Sequence, residues 1–244
     1  KMINNKKIIA IITARSGSKG LKNKNILELH SKPLVTWPIT AALKSKYIDK
    51  VVVSTDDNAI AAISISAGAE VPFLRDKSLA KDDTPSSEVI TDVLSKINDA
   101  KSNYEYLILL EPTSPLTTSN DIDSAFEKLE ANIPKYNSII SVAKTESNNP
   151  EFSLNINDEG MIEPVIGEFP DDIPRRQDVK DTYFLDGSLY ISKISTFLSK
   201  KSFFHKKTLP FIVPYWKSFE IDTYLDFICI EAIITNIEKI KLIK

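Results

Sequence analysis

The sequence has few of the residues that crosslink a chain or bind zinc. It contains one cysteine, Cys229, and two isolated histidines, His30 and His205, in 244 residues. A single cysteine excludes an internal disulfide bond and suits a reducing compartment, so we expect a cytoplasmic protein. The shortage of histidine and cysteine together argues against a zinc cluster.

Long apolar runs and an excess of one charge are also missing. The apolar stretch at residues 7–13 is too short to span a bilayer and lacks the cleavage pattern of a signal peptide, so we interpret it as a buried strand. The 31 lysines and arginines nearly balance the 33 aspartates and glutamates, which argues against a surface that coats nucleic acid. We therefore expect neither membrane nor nucleic acid as a partner, and any basic site must be local.

Glycine is scarce as well, and its placement is informative. Two of the six glycines, Gly17 and Gly20, lie in the basic segment 15–24, which directly follows the first apolar run. Glycine lets backbone N–H groups approach a ligand, and lysine and arginine neutralise phosphate oxygens. The spacing matches neither a Walker A loop nor G-x-G-x-x-G, which disfavours a P-loop kinase or a dehydrogenase. We predict a phosphate-binding loop, with a solvated turn as the alternative.

Short apolar runs alternate with amphipathic segments along the first 143 residues. This alternation predicts an α/β fold with a mostly parallel sheet and helices on both faces. Ligands bind beyond the carboxyl ends of such strands, so the basic loop, Ser54–Asp56 and Glu111–Pro115 should share one rim. The predicted strands are Ile8–Thr13, Val51–Ser54, Tyr106–Leu110 and Ser138–Val142, and the predicted helices are Leu34–Lys44, Asn58–Ser66, Ser87–Ile97 and Asp121–Glu130.

The pattern changes in residues 144–182, which are polar and punctuated by proline. Two short runs, Phe152–Ile156 and Met161–Val165, flank a turn and predict a hairpin on an arm inserted between 1–143 and 183–244. Beyond the arm we predict strands at Gly187–Ser192 and Leu209–Val213 and a last helix at Tyr224–Ile237. The apolar side of that helix is expected to comprise Leu225, Ile228, Cys229, Ala232, Ile233 and Ile237.

Six motifs occur in order between about Ile8 and Ile230, namely Ala14–Gly20, Lys24-Asn25, Lys32–Leu34, Val53–Asp57, Pro112–Leu116 and Ile221–Thr223. Together they resemble the CMP-sialic acid synthetase (N-acylneuraminate cytidylyltransferase) family, including the CMP-legionaminic and CMP-pseudaminic acid synthetases. The resemblance implies a Rossmann-like sheet, with the arm used to form a homodimer. It also implies joining of CTP to a nine-carbon 2-keto acid sugar, with release of pyrophosphate.

The resemblance assigns roles to individual residues. Lys24 is the leading candidate for contact with the reacting phosphates. Lys22 lies off the matched positions, and we expect it to be a solvated surface side chain. Arg75 and Ser86 match positions that contact the cytosine, although residues 84–88 could equally serve to start a helix. The implied catalytic residues are Arg15, Lys19, Lys24 and Asp222, and the implied CTP-binding residues are Arg15, Ser18, Lys19, Lys24, Asn25, Arg75 and Ser86.

Two carboxylates near the end of the chain indicate a metal site. In an extended segment Glu220 and Asp222 lie on the same side, and carboxylate oxygens suit Mg²⁺, with Mn²⁺ as an alternative. The family carries an Asp-x-Asp pair here, so Glu220 replaces its first member and Asp222 is the firmer ligand. In the alternative interpretation Asp222 or Thr223 caps the last helix. Asp226 lies one helical turn further, and we expect it to be structural.

The sugar site is also assigned by resemblance. Arg176 matches an arginine that would bind the sugar carboxylate, although adjacent Arg175 leaves the register open. Tyr190, Phe203 and Phe204 match aromatic positions around the acyl group, with core packing as the alternative. Because Arg176 lies on the arm, a second subunit could complete the site.

Glu111 departs from the family pattern, which commonly reads Gln-Pro-Thr-Ser-Pro. An amide both donates and accepts hydrogen bonds, whereas an ionised carboxylate only accepts. If Glu111 faces the sugar, the substrate should carry an extra donor, as legionaminic and pseudaminic acids do.

Two other functions remain open from sequence. The nearest is a CMP-Kdo-type synthetase or another sugar nucleotidyltransferase, against which Phe203-Phe204 and Arg175–Gln177 favour the sialic type. The other is a nucleotide-binding regulatory homologue without turnover, against which the basic loop, Lys24 and Asp222 favour an enzyme.

Overall fold

A computed structural model describes residues 6–97, 103–146, 148–169 and 175–242. Within these ranges six strands form one sheet in the order β10-β6-β9-β5-β1-β4. Two short antiparallel pairs, β2 with β3 and β7 with β8, lie outside it. The strands are β1 Ile8–Thr13, β2 Glu28–Leu29, β3 Lys32–Pro33, β4 Lys50–Ser54, β5 Tyr106–Leu110, β6 Ser138–Lys144, β7 Leu154–Ile156, β8 Ile162–Pro164, β9 Tyr183–Lys193 and β10 Thr208–Val213.

The predicted mostly parallel sheet is confirmed. β1 runs parallel to β4 and β5, and β10 runs parallel to β6. The exception is β9, which lies antiparallel between β5 and β6. The sequence predicted only Gly187–Ser192 of this strand, because Asp186 and Gly187 separate its exposed first residues, Tyr183–Leu185, from the buried run that follows.

Helices cover both faces of the sheet, as predicted. One face packs Tyr106 edge-on against Phe126, and the other packs Val93 and Phe197 in a separate apolar cluster. None of the helices in the described ranges has the length and hydrophobicity needed to cross a bilayer. The α-helices are Thr36–Lys44, Asn58–Ser66, Ser86–Lys96, Ser119–Glu130, Ile194–Lys200, Tyr224–Thr235 and Ile237–Leu242, with 3-10 turns at Lys24–Ile26, Lys77–Leu79, Pro150–Phe152 and Tyr215–Lys217.

The segment between β6 and β9 contains the hairpin that the turn residues predicted. β7 and β8 pair in register, with Asn155 opposite Glu163, and Gly160 adopts a positive φ of 80° in the turn. Apolar side chains on this arm are largely exposed, among them Ile156 at 76% and Phe169 at 60%. The arm therefore presents apolar surface that the sheet does not cover.

The last long helix, Tyr224–Thr235, buries a different face from the one predicted. Phe227 and Ile230 enter a third apolar cluster that also holds Ile221, whereas Leu225 is 68% exposed and Ile228 is 47% exposed. Apolar residues occur around most of this helix, so periodicity alone could not select the buried side.

Gly187 in β9 is a position where the fold requires glycine. Its φ is +73°, and a Cβ there would overlap the carboxylate of Glu220. Left-handed backbone is costly for residues with a side chain. Gly187 therefore allows Glu220 to pack directly against the backbone of β9.

We expect Gly187→Ala to destabilise the protein more than Gly160→Ala does. Gly160 also has a positive φ, but a Cβ there meets nothing within 4 Å, so it serves as the control for backbone strain. Strain should lower the free energy of unfolding by about 1–2 kcal/mol in both variants. Overlap with Glu220 should cost roughly 1–3 kcal/mol more in Gly187→Ala. Urea unfolding measures the difference, and equal losses would contradict the packing described.

Candidate active site

The carboxyl ends of three parallel strands form the floor of the site, as the sheet pattern predicted. In the sheet Thr13 pairs with Ser54, and Ile12 pairs with Leu110. Thr13 Oγ1 donates a hydrogen bond of 3.2 Å to Glu111 Oε2. The basic loop after β1 and the segment after β5 are thus neighbours, although about 100 residues separate them.

Hydrogen bonds hold the basic loop, residues 15–25, in one shape. Ser16 donates from both its backbone N (2.9 Å) and its Oγ (2.8 Å) to the carboxylate of Asp56. Asn25 is buried and donates from Nδ2 to the carbonyl oxygen of Arg15 at 2.8 Å. The two ends of the loop are therefore tied to the rim and to each other.

The same loop is fixed to the C-terminal segment. Lys24 Nζ donates to the carbonyl oxygen of Ile221 at 2.9 Å and to Asp222 Oδ1 at 3.0 Å. A Cβ on Gly20 would overlap the carbonyl oxygen of Asp222, so the backbones meet directly there. Ile221 N also donates to Thr113 O at 2.8 Å, which joins the segment after β5 to the same contact.

A cavity of about 260 Å³ opens between these segments. Lys19 does not line it, and its side chain is 81% exposed. The predicted site residues that do line it are Arg15, Ser18, Lys24, Asn25, Arg75, Ser86 and Glu111. Most of the proposed nucleotide contacts are therefore brought together around one polar space.

Asp82 pairs with two of the cations that were predicted to bind phosphate. Its carboxylate lies 2.5 Å from Arg15 Nη1 and 2.7 Å from Lys19 Nζ. Hydrogen bonds from Lys19 and Arg15 hold the pKa of Asp82 below its usual range. Asp82 thus occupies donors that an anionic ligand would use.

Arg75 is buried and is already bonded to the end of β4. Its Nε donates to Ser54 Oγ at 3.0 Å and its Nη2 donates to Ser54 O at 2.5 Å. Burial lowers the pKa of Arg75. The guanidinium therefore fixes the cavity wall, and its remaining N–H groups are the ones available to a ligand.

A second cavity of about 280 Å³ adjoins the first and shares Ser86 and Glu111 with it. Its other predicted lining residues are aromatic: Tyr190 packs 5.6 Å from Phe203 between ring centroids, and Phe204 is 70% exposed. The two cavities together form one candidate site, with a polar half in the first cavity and an aromatic half in the second.

Glu111 stands where the two cavities meet. Burial raises the pKa of Glu111 to about 7, and the hydrogen bond from Thr13 and the charges of Arg75 and Lys24 oppose that rise. The carboxyl group therefore changes protonation state near neutral pH. It can present either a donor and an acceptor or acceptors alone.

The two carboxylates predicted to bind metal have different surroundings. Glu220 accepts a hydrogen bond from Ser114 at 3.2 Å, and burial raises its pKa to about 7. The side chain of Asp222 is 73% exposed beside Lys24. In the described part of the chain no group of three or more His, Cys, Asp or Glu side chains could hold a metal ion. A metal here would need further oxygen ligands from a substrate.

The remaining predicted residues lie away from the cavities. Arg175 and Arg176 are exposed on the arm and line neither cavity. Asp226 accepts from Thr223 N at 2.7 Å and Thr223 caps the last long helix, so these two are structural as the sequence allowed. Lys22 is exposed.

Sequence reasoning missed several residues of the site. Asp82 lies between Arg75 and Ser86, which were predicted to contact the cytosine, but nothing local pairs it with Arg15. Lys201, which lines the aromatic cavity, precedes the predicted Phe203-Phe204 pair without belonging to a motif. Thr13 was predicted only as the last residue of the first strand, and nothing in the sequence indicated its hydrogen bond to Glu111.

Comparisons with known proteins agree with the geometry. The sequence family Cytidylyltransferase matches residues 9–158. The chain is similar to N-acylneuraminate cytidylyltransferase of Escherichia coli O18:K1:H7 (strain RS218 / NMEC), with 39% identity over 91% of this chain. It spans only 50% of the length of that relative. It is 33% identical to CMP-N,N'-diacetyllegionaminic acid synthase of Legionella pneumophila, covering 93% of this chain and 96% of the relative.

A solved structure is similar in fold. CMP:2-keto-3-deoxy-manno-octonic acid synthetase complexed with CTP matches 94% of this chain and 99% of its own, with a TM-score of 0.68 and 16% identity. The predicted family and enzyme class are confirmed. Since the family match covers more than half of the sequence and the Legionella relative is matched over nearly its whole length, this chain belongs to the cytidylyltransferase family of nucleotidyltransferases.

Proposed function

We propose that this chain transfers the cytidylyl group of CTP to the anomeric hydroxyl of a nine-carbon 2-keto acid sugar. The observation that carries the proposal is the joined pair of cavities, one lined by cations and the other by aromatic rings, with Glu111 between them. A triphosphate fits the first kind of surface and an acylated sugar fits the second. The relatives named for CMP-sugar synthesis support the same assignment.

The residues of the basic loop would align and neutralise the reacting phosphates. The sugar oxygen forms a bond to the α-phosphorus while the bond to the bridging oxygen of pyrophosphate breaks, so negative charge grows on the leaving group. Arg15, Lys19 and Lys24 would stabilise that charge, and Ser18 and Asn25 would contact phosphate oxygens. Arg75 and Ser86 would hold the cytosine at the far wall of the cavity.

Divalent metal ions are general in the cytidylyltransferase family, and we propose Mg²⁺, with Mn²⁺ as the alternative. Asp222 fits as a ligand, because Mg²⁺ is commonly held by one or two carboxylates together with substrate phosphates and this carboxylate is exposed beside Lys24. Glu220 is the weaker ligand, since it is buried against Gly187 and Ser114. When bound, the ion would neutralise phosphate charge and lower the pKa of the attacking hydroxyl.

Glu111 would select the sugar. An ionised carboxylate at the junction of the cavities favours a substrate that donates an N–H there, as the additional amide of legionaminic or pseudaminic acid types does. Tyr190, Phe203 and Phe204 would pack against the acyl group.

A second copy of the chain would complete the assembly as a homodimer working in the cytoplasm. The arm carries exposed apolar side chains, including Ile156 and Phe169, and the start of β9 exposes Phe184 and Leu185. Arg176 lies on the same arm and lines neither cavity of its own copy, so we propose that it binds the sugar carboxylate in a neighbouring copy. We therefore propose that residues 144–182 act as a dimerisation arm inserted in the catalytic domain.

The alternatives are less well supported. Similarity to the CMP-Kdo-type enzyme is 16% in sequence and shows the fold alone, whereas the named nine-carbon sugar enzymes are 33% and 39% identical. A regulatory protein without turnover would not need Asp222 bonded to Lys24, which lines the cavity.

Pyrophosphate release measured with CTP and a panel of eight- and nine-carbon keto acid sugars tests the function. We expect turnover with nine-carbon sugars and with CTP in preference to the other nucleoside triphosphates. Asp222→Ala should lower turnover by at least about 100-fold without loss of the folded state, because a metal ligand and the partner of Lys24 are both removed. Failure with every sugar would favour the regulatory alternative, and near-normal activity of Asp222→Ala would contradict the metal assignment.

Asp82 should compete with the triphosphate. We expect Asp82→Asn to lower the KM for CTP by about fivefold, since it frees Arg15 and Lys19 and removes a like charge from the cavity. Asp83→Asn is the matched control. Asp83 follows Asp82 directly and carries the same charge, but its side chain pairs with neither Arg15 nor Lys19. A raised KM in Asp82→Asn would mean that Asp82 orders the loop for binding instead.

Glu111→Gln should remove one ionisation from the pH profile and change the sugar preference. With a pKa of about 7, the free Glu111 carboxyl is mostly neutral at pH 6 and mostly ionised at pH 8. We therefore expect kcat/KM for a diacetamido sugar, relative to N-acetylneuraminic acid, to rise with pH in the unaltered protein and to stay flat in Glu111→Gln. Clear preference for N-acetylneuraminic acid at every pH would contradict the proposed selectivity.

A further inference from the structure

The turn of residues 202–208 carries two aromatic residues of the second cavity, and a side chain with no role in the function described so far holds it. That side chain is His205, which lies between the preceding helix and β10. Its Nδ1 accepts a hydrogen bond from Lys207 N at 3.2 Å, and its Nε2 lies 3.0 Å from Ser138 Oγ on β6. The imidazole therefore fixes the shape of the turn and ties it to the central sheet.

The directions of these hydrogen bonds fix the protonation of the ring. A backbone N–H can only donate, so Nδ1 of His205 carries no proton here and the neutral ring has its proton on Nε2. Nε2 then donates to Ser138 Oγ, which in turn donates to Ser192 Oγ at 2.8 Å. Both serines are completely buried. A proton added at Nδ1 would set one donor against another at Lys207 N, so this turn accepts only the neutral ring.

The groups around His205 also oppose a positive charge on it. Burial and the charge of Lys200 both lower the pKa of His205. β6 and β10 contribute the neutral hydroxyls of Ser138 and Thr208. The charged or titratable groups on the neighbouring elements are Lys200 on the preceding helix, Lys206 and Lys207 in the turn, Lys193 on β9 with its partner Glu105, and Tyr183 in the groove that His205 lines.

The same turn forms part of the wall of the aromatic cavity. His205 N donates to Thr208 Oγ1 at 3.0 Å, and that hydroxyl donates to Phe203 O at 2.9 Å. Phe203 packs against Tyr190, and Phe204, which directly precedes His205, lines the same cavity. Release of the imidazole would therefore loosen both aromatic residues that are proposed to contact the acyl group.

Resting on the proposed function, we propose that His205 is a positioning residue for the sugar, which holds the turn of residues 202–208 in its sugar-binding shape only while the imidazole is neutral. In a loosened turn the ring would regain the ordinary pKa of histidine, about 6.5, so the loosened form binds a proton first as the pH falls. The intact turn is thus fully favoured above that pH and loses stability below it. Since no residue of the turn lines the first cavity, CTP binding should not follow this titration.

His205→Asn is the informative variant. An asparagine side chain commonly accepts a hydrogen bond from the backbone N–H two residues on, which is the bond that Nδ1 of His205 accepts from Lys207 N. This variant should keep the turn and lose the titration, whereas His205→Ala should loosen the turn at every pH.

His30→Asn is the matched control. His30 is the other histidine of the sequence and lines neither cavity. Its φ of 49° is one that asparagine tolerates, so the substitution should not strain the backbone.

NMR of the ¹⁵N-labelled imidazoles tests the state of the ring without any turnover. The sequence has only two histidines, so the signal that remains in His30→Asn belongs to His205. We expect a neutral ring with its proton on Nε2 at pH 8, and a titration midpoint below 6.5. A proton on Nδ1 at pH 8, or a midpoint at or above 6.5, would overturn the proposal.

Kinetics test the consequence for the sugar. Glu111 titrates in the unaltered protein and in His205→Asn alike, so its effect cancels when kcat/KM for the sugar is compared between the two at one pH. We expect similar values at pH 8. At pH 5 the unaltered protein should be about fivefold lower through a higher sugar KM, the size of one lost hydrogen bond. The KM for CTP should agree in the two proteins, and His30→Asn should follow the unaltered protein.

The outcomes separate this inference from the proposed function. If the unaltered protein turns over keto acid sugars and its ratio to His205→Asn is the same at pH 5 and pH 8, the role of His205 is wrong while the function stands. An equal rise in KM for sugar and CTP at pH 5 would indicate general acid unfolding and would also overturn that role. If the unaltered protein turns over no keto acid sugar, the proposed function fails, and positioning of a sugar by His205 fails with it.

Discussion

The active site depends on the contact between Lys24 and the Ile221–Asp222 segment, which lie almost 200 residues apart in sequence. Two charged side chains near the surface gain little from pairing alone. The contact is held because Ile221 is completely buried among apolar neighbours and because Gly20 lets the two backbones touch. Apolar burial thus positions a polar contact, and the contact places the carboxylate of Asp222 beside the basic loop.

Each cation proposed to contact CTP already has an acceptor within the protein. Asp82 binds Arg15 and Lys19, Asp222 binds Lys24, and the end of β4 binds Arg75. Binding of a triphosphate to these residues would therefore be an exchange of acceptors and not the capture of bare cations. A ligand with several negative charges would be favoured in this exchange, whereas a single carboxylate would gain little over the carboxylates it displaces.

The register of the sheet explains why the two cavities share Glu111. Parallel pairing of β1 with β5 brings Thr13 to Glu111, and antiparallel β9 then supplies Tyr190 beside β5. Glu111 is consequently enclosed, and its pKa rises to about 7. Glutamate at this position thus places a titratable group between the proposed nucleotide and sugar halves of the site.

The sequence by itself determined the α/β class, most of the strands and the clustering of the basic loop with Glu111. Local apolar periodicity and the shared edge of parallel strands are enough for these. Only the tertiary structure decided that Asp82 pairs with the loop, that β9 lies antiparallel between β5 and β6, that Phe227 and not Leu225 is buried, and that Lys201 borders the aromatic cavity. The physical reason is that each of these depends on a neighbour that is distant in sequence, about which the local pattern carries no information.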